Sequence, residues 1–269
     1  SCNSKQVKIM NEVFIHPTAI VSPKAQIGVN VKIDAFTIIK DDVVIGDNTI
    51  IGTSNFIDNG VRIGKNNVIF HQTILGTNPQ DLKYNNEKTF VEIGDNNTIR
   101  EFVTINRATA STYTTKVGNN NLIMEYCHIA HDCKVGNNTI FSNSTQIAGH
   151  VHVEDWVIFG GFSKVHQFCI IGKHAFIGGD TKIVKDVVPY SIVSGSDPKF
   201  EGINYIGLKR RGFTIETIME ISNFYKAIFN SGLNNTDAIN KYLEEQQPNE
   251  IIQEIIDFIQ NSPRGVYRS

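Results

Sequence analysis

The sequence predicts a mainly β protein: a parallel β-solenoid of short strands followed by a C-terminal α-helical domain. Three observations predict it. Every sixth residue from Ile15 to Leu75, from Ile93 to Ile105 and from Val117 to Ile183 is Ile, Leu, Val or Phe, 26 positions in all. At a chance rate of roughly one in three, such a run has odds on the order of 1 in 10¹². Ile outnumbers Leu by 39 to 6, which favours strands over helices. Beyond Pro189 the six-residue spacing gives way to apolar residues at helical spacing.

A period of six excludes a long helix, because six is not a multiple of 3.6. It suits a short strand plus a tight turn that buries one aliphatic side chain per unit, and such units stack into a solenoid. The residue after the aliphatic is often Gly, as at Gly28, Gly46, Gly52, Gly64, Gly94, Gly118, Gly136, Gly172 and Gly178. Asn and Asp often follow, as in Gly46-Asp47-Asn48. These residue types tolerate a left-handed turn. Four places after the aliphatic the residue is mostly small, and Cys127, Cys133 and Cys169 fall in this slot as fillers of a narrow interior. The expected division is an N-terminal extension over 1–14, the solenoid over 15–188 and a helical domain over 189–269.

The period breaks twice, after Leu75 and after Ile105. Insertions in solenoids form surface loops, often on one binding face. If the coil resumes after each loop, Leu75, Ile105, Ile129, Ile147 and Val165 share one edge. Their hexapeptides carry His131, His150 and His166, a candidate site beside two protruding loops. His16, His71, His152 and His174 fall outside this triplet and read as mostly structural, with His71 the one placed nearest it. After Pro189, Thr214 is a candidate cap for a helix with Ile218, Ile221, Tyr225 and Ile228 on one face, ending near Gly232. Residues 236–246 and 249–261 are two further helices, separated by Pro248. Lys209-Arg210-Arg211 precedes them as a basic cluster suited to a phosphate or an acidic partner.

Composition narrows the function. Net charge is −2 and charged residues are 19%, so there is no basic footprint for nucleic acid. No apolar run approaches a membrane span, and residues 1–10 lack the core of a signal peptide. The four cysteines form neither a CxxC pair nor a disulfide framework, which fits a reducing cytoplasm. No cofactor and no metal are expected.

The periodicity resembles the hexapeptide-repeat family, a left-handed parallel β-helix with three hexapeptides to a coil, about nine coils here. The left hand is implied by the resemblance alone, since it breaks the usual crossover rule. Five runs narrow it further: Asn78-Pro79-Gln80-Asp81-Leu82-Lys83-Tyr84, His128-Ile129-Ala130-His131-Asp132-Cys133, Ala148-Gly149-His150, Val165-His166-Gln167-Phe168 and Gly207-Leu208-Lys209-Arg210-Arg211-Gly212-Phe213. In this order they resemble the UDP-N-acetylglucosamine O-acyltransferase family over nearly the whole chain, from His16-Pro17-Thr18-Ala19 to the helical tail.

The resemblance implies a reaction and a site. An (R)-3-hydroxyacyl chain would pass from acyl carrier protein to the glucosamine 3-hydroxyl of UDP-N-acetylglucosamine, the first step of lipid A biosynthesis. It implies His131 as general base, Asp132 as its orienting partner and the Gly149 backbone N–H as oxyanion donor. Gln80, Asp81, Lys83, His128, His150, His166 and Gln167 would contact the sugar nucleotide or the acyl chain. Asn204, Arg210 and Arg211 would meet the nucleotide or the carrier protein. Gly179 would set acyl length, its lack of a side chain leaving room for a longer chain, unless the backbone needs glycine for a positive φ. Family members are homotrimers with the site between subunits. Two positions depart from the family pattern: Asn106 stands where His is usual, and Ile206 where an acidic residue is common.

Three rival classes share parts of this pattern. A γ-class carbonic anhydrase would use three solenoid histidines on zinc. A related acyltransferase acting on UDP-3-O-acylglucosamine typically carries an additional N-terminal domain. An ice-binding or scaffold solenoid needs a regular exposed face, which the two insertions spoil. Acyl length, and a 3-hydroxyl against a 3-amino acceptor, stay open at the level of sequence.

Overall fold

The computed structural model describes residues 12–269. Of the expected N-terminal extension, residues 1–11 therefore lie outside the described residues. Twenty-six short strands, from Phe14–Ile15 to Lys182–Ile183, wind into a three-sided prism. Each face is one parallel sheet whose neighbouring strands lie one coil apart in sequence. The first face begins with Phe14–Ile15, the second with Ile20–Val21 and the third with Gln26–Ile27.

The period-six residues are the interior of this prism. From Ile33 to Ile183 every one is buried. Ile15, Val21 and Ile27 are not, because they line the first described coil, which has no coil beneath it among the described residues. A fully buried Ile of this kind contributes roughly 1.5–3 kcal/mol of burial. The small-residue slot is interior too, and its polar members are hydrogen-bonded along the axis. Asn97 N donates to Asn67 Oδ1 (2.8 Å), Asn121 N to Asn97 Oδ1 (2.9 Å) and Thr139 N to Asn121 Oδ1 (2.8 Å). Such a ladder lets amides sit inside a narrow core without an unpaired group. Cys127, Cys133 and Cys169 are buried free thiols in this slot, and burial pushes their pKa up to about 11, 12 and 11.

The corners correct one expectation. The left-handed residue of each turn is the third after the aliphatic, as at Asn48 (φ 58°), Phe102 (59°), Asp132 (62°) and His150 (61°). Of the eleven glycines directly after the period-six residue, only Gly76, where the first insertion leaves the coil, has a positive φ. At the others glycine is needed because the next coil passes too close: a Cβ on Gly46 would lie 2.6 Å from the Gly64 carbonyl carbon.

Both insertions leave from the second face. Leu75 pairs with Ile105, Ile105 with Ile129, Ile129 with Ile147 and Ile147 with Val165, the shared edge expected from the count. Arg107 ties the loop bases to the coil below, through Gly76 O (2.7 Å) and Asp58 Oδ2 (3.1 Å).

The chain after Pro189 is not helical at once. Ser191–Ser194 joins the first face and pairs antiparallel with Lys199–Ile203. The β-branched residues of this stretch are too few to give the sequence a strand signal of their own. A short helix α1 (Tyr205–Arg210) follows, then α2 (Ile215–Phe229), α3 (Asn235–Glu245) and α4 (Glu250–Gln260). Thr214 caps α2 as expected, while α1 went unforeseen because six residues show no periodicity. The helices form their own core around Tyr225, whose hydroxyl donates to Pro189 O (2.6 Å). The tail returns to the solenoid: Asp186 accepts from Ser262 Oγ, and Val184 N donates to Tyr267 Oη (2.8 Å). No described helix is long and apolar enough to cross a membrane.

Candidate active site

The second-to-third corner gathers the groups that carry chemistry. His131 follows its aliphatic by two places and His150 by three, so the two rings meet edge to face with centroids 5.3 Å apart. Between them lies the Asp132 carboxylate, wholly buried. Its Oδ2 is 2.7 Å from His131 Nδ1 and 3.6 Å from His150 Nε2, the latter longer than a hydrogen bond.

The second insertion builds the rest of this cage. Thr109 Oγ1 donates to Asp132 Oδ2 (2.8 Å) and Thr112 Oγ1 to Oδ1 (2.5 Å), with the backbone N–H of both residues at 3.2 Å. Burial pushes the Asp132 carboxyl up, but the hydrogen bonds from Thr112, His131 and Thr109 outweigh it and hold it below the usual range. The group is an anion, and an anion only accepts. His131 therefore donates through Nδ1, which leaves the Nε2 lone pair free in the neutral ring.

Gly149 supports this ring. A Cβ there would lie 2.5 Å from His131 Cε1 and 2.7 Å from Nε2, so only glycine lets the imidazole lie against the coil above. The buried Gly149 N–H makes no hydrogen bond within the described residues, an unusual state for a buried donor. His150 is held on its other side by Phe168, stacked at 4.6 Å.

The remaining sequence candidates are spread more widely. His128 points outward from the second face with Nδ1 2.7 Å from Thr104 Oγ1, and burial pushes its pKa down. His166 and Gln167 are exposed one coil above His150 and do not join the cluster. The sequence offsets show why: His166 stands only one place after its aliphatic, and Phe168 takes the slot beside His150. Gln80, Asp81 and Lys83 sit on the first insertion, where Asp81 Oδ1 accepts from Lys83 N (2.9 Å). They make no hydrogen bond to the histidine cluster of their own chain. His71 lies on the first-to-second corner, not beside the site, and its Nδ1 accepts from Thr53 N (3.0 Å). Asn106, the departure from the family pattern, is buried and bridges the two insertions through Thr77 Oγ1 (3.1 Å).

Asn204, Arg210 and Arg211 belong to α1, at the third-to-first corner. Asn204 is buried and spends its side chain internally, capping α1 through Gly207 N (3.1 Å) and donating to His174 O (3.0 Å). Arg211 Nη1 lies 3.2 Å from His174 Nδ1, and Arg210 is exposed. Burial, then the charges of Arg211 and Lys173, hold the His174 pKa down to about 4 against a small opposing pull from Asp155. The unfolded chain binds a proton near 6.5 and the folded one only near 4, so stability is lost as pH falls through this window. His174→Phe should remove that loss. In chemical denaturation at pH 7 and at pH 4, the wild type should fall further than the variant by at most about 3 kcal/mol. Equal losses would show that His174 does not titrate in this way.

Gly179 lies on the first-to-second corner, exposed, and its turn takes its positive φ at Asp180 (52°) instead. A Cβ on Gly179 would meet only Gly161, its O at 3.4 Å and its N at 3.9 Å, both ordinary contacts. The backbone thus has no need of glycine there.

The comparisons with known proteins agree with this architecture. Residues 186–267 match the family model described as UDP N-acetylglucosamine O-acyltransferase, domain 2. Residues 24–59 and 114–149 match the bacterial transferase hexapeptide model. An acyl-[acyl-carrier-protein]–UDP-N-acetylglucosamine O-acyltransferase of Xylella fastidiosa is 48% identical over 95% of this chain and 98% of its own. The one from Herminiimonas arsenicoxydans is 44% identical over 95% and 99%. Among solved structures, the UDP-N-acetylglucosamine acyltransferase of Bacteroides fragilis superposes with a TM-score of 0.92 at 46% identity, covering 95% of this chain and all (100%) of that one. The Francisella novicida enzyme gives 0.91 at 40%, covering 96% and 94%. Superposition does not invert handedness, so the prism is a left-handed parallel β-helix. With this identity along nearly its whole length, the chain belongs to the UDP-N-acetylglucosamine O-acyltransferase family.

Proposed function

We propose that the protein transfers an (R)-3-hydroxyacyl chain from acyl carrier protein to the glucosamine 3-hydroxyl of UDP-N-acetylglucosamine, with His131 as general base. The observation that carries this reading is the His131–Asp132 pair, with Nδ1 2.7 Å from Oδ2 and the ring packed against Gly149. A carboxylate only accepts, so in the neutral ring the proton sits on Nδ1 and Nε2 carries the lone pair. A sugar hydroxyl is a poor nucleophile near pH 7, and a positioned imidazole supplies typically 10²–10⁴-fold.

The geometry supports the following steps. The sugar oxygen attacks the thioester carbonyl while Nε2 takes its proton. The tetrahedral oxyanion accepts from Gly149 N–H, a contact worth roughly 10²–10³ in rate. As the C–S bond breaks, the imidazolium returns the proton to the departing sulfur. Asp132 stabilises the imidazolium and keeps its own charge.

A second copy of the chain completes the site in this reading, as a homotrimer. Leu82 is fully exposed at the tip of the first insertion, between Asp81 and Lys83. From Ile50 to Phe176 the outward row of the first face is apolar at Ile50, Val68, Leu122, Ile140, Ile158 and Phe176, broken only by Thr98. Both features suit burial against another copy, which would also bring a neighbour's loop to the His131 corner. The solenoid over 15–188 and the helical domain over 189–269 would then divide the work of holding acceptor and donor.

The test is transfer by the purified protein from a panel of 3-hydroxyacyl carrier proteins to UDP-N-acetylglucosamine and to its 3-amino analogue. Ester formation with at least one donor is expected, and no product with any donor would overturn the proposal. Light scattering should give three times the chain mass, and a monomer at working concentration would count against a shared site. Gly179→Met should shift kcat/KM toward shorter donors by roughly tenfold for a two-carbon difference. An unchanged ratio would remove Gly179 from the specificity machinery.

A further inference from the structure

Helix α1 carries Lys209-Arg210-Arg211, and both of its ends are fastened to one residue, His174. The His174 carbonyl accepts from Asn204 Nδ2 (3.0 Å), the capping side chain at the start of the helix. The His174 ring faces Arg211 Nη1 at 3.2 Å, at the end of the helix. Arginine only donates, so Nδ1 is the acceptor and the imidazole is neutral. The ring itself is held parallel to Trp156 on one side (6.0 Å, 4°) and to Tyr190 (5.4 Å, 12°), with Phe213 at its edge.

Arg211 is thereby a fixed cation with spare donors. Its guanidinium lies 5.3 Å from the centre of the Trp156 ring. No described carboxylate comes within 4.0 Å of it. Its other side-chain N–H groups find no acceptor among the described residues. A half-buried guanidinium with no anion of its own, and a planar fork of free donors, matches a phosphate. Arg211 is also less exposed than Arg210 or Lys209, which suits a small anionic group better than the flat acidic surface of a protein.

We propose that His174 is a positioning residue, which through Asn204 and Arg211 sets α1 so that the Arg211 guanidinium meets the diphosphate of the nucleotide acceptor. This rests on the acceptor proposed above. His174 itself touches no substrate. Its part is to hold the fork in one orientation, so that the guanidinium does not have to be ordered when the nucleotide binds.

The backbone makes the test clean. His174 occupies the left-handed slot of its turn (φ 60°), and the same slot holds Phe at Phe36, Phe102, Phe162 and Phe168 and Gln at Gln72. His174→Phe therefore keeps the turn and the aromatic stack but removes the acceptor, while His174→Gln restores an acceptor. KM for UDP-N-acetylglucosamine should rise roughly tenfold in His174→Phe, the size of one lost hydrogen bond to a charged group. The kcat value and the KM for the carrier-protein donor should stay within about threefold. His174→Gln should recover most of the loss. In an Arg211→Ala background, His174→Phe should add nothing further. An unmoved nucleotide KM, a full penalty that persists in Arg211→Ala, or a rise confined to the donor KM would each overturn the proposal. If the wild type fails to turn over UDP-N-acetylglucosamine with any donor, the proposed reaction falls instead, and that result is read before any variant is made.

Discussion

His131→Gln should lower kcat/KM by about 10²–10⁴-fold while the protein stays folded. The His131 side chain is largely covered, but it is not part of the apolar interior, where Ile129 fills the coil. Gln keeps a polar group of similar reach and offers no base. The Asp132 carboxylate retains its four donors from Thr109 and Thr112, so the cage stays satisfied when the fifth is lost. The measurement is steady-state turnover beside a thermal melt. A folded variant that keeps more than about half of the activity would show that another group takes the proton. His150 is the nearest alternative, and its Nε2 lies 3.6 Å from the same carboxylate. The equivalent change at His150 should therefore be compared directly, with the larger loss expected at His131.

The solenoid was legible because its signal is local and repeated. One aliphatic per six residues fixes which side chains face inward, and parallel pairing one coil apart follows without further information. The stacking of Leu75, Ile105, Ile129, Ile147 and Val165 came from counting alone, since each insertion leaves the coil and returns to it. What the count does not give is how far each side chain stands along its corner. His131, His150 and His166 lie on successive coils, yet their offsets of two, three and one places bring only the first two together around Asp132. Those offsets are written in the sequence and become meaningful once the third place is known to be left-handed. Thr109 and Thr112 were invisible for a different reason. They hold Asp132 across 23 and 20 residues from a loop with no periodicity. Likewise the hairpin at Ser191–Ser194 and Lys199–Ile203 is specified by the open end of the first face, a tertiary demand rather than a local one.

Glycine shows the same division between local and tertiary causes, and it leads to the second large effect expected. Gly149→Ala should cost at least about 10²-fold in kcat with only a modest loss of stability. Gly149 has no positive φ, so alanine is allowed by the backbone. The obstruction is the imidazole: the new Cβ would lie 2.5 Å from Cε1 and 2.7 Å from Nε2 of His131. A ring can turn away where a backbone cannot, so the fold survives and the base is displaced. Turning the ring breaks the Nδ1–Asp132 contact that fixes the tautomer and moves Nε2 away from Gly149, whose N–H is the proposed oxyanion donor. Gly160→Ala provides the contrast, because its Cβ would lie 2.5 Å from Gly179 N, a backbone atom with nowhere to go. The Gly160 variant should lose stability first, and the Gly149 variant should lose turnover first. Melting temperature and kcat measured on both proteins separate the two. A Gly149→Ala enzyme that keeps wild-type turnover at an unchanged melting temperature would mean that neither the His131 orientation nor that N–H governs the rate.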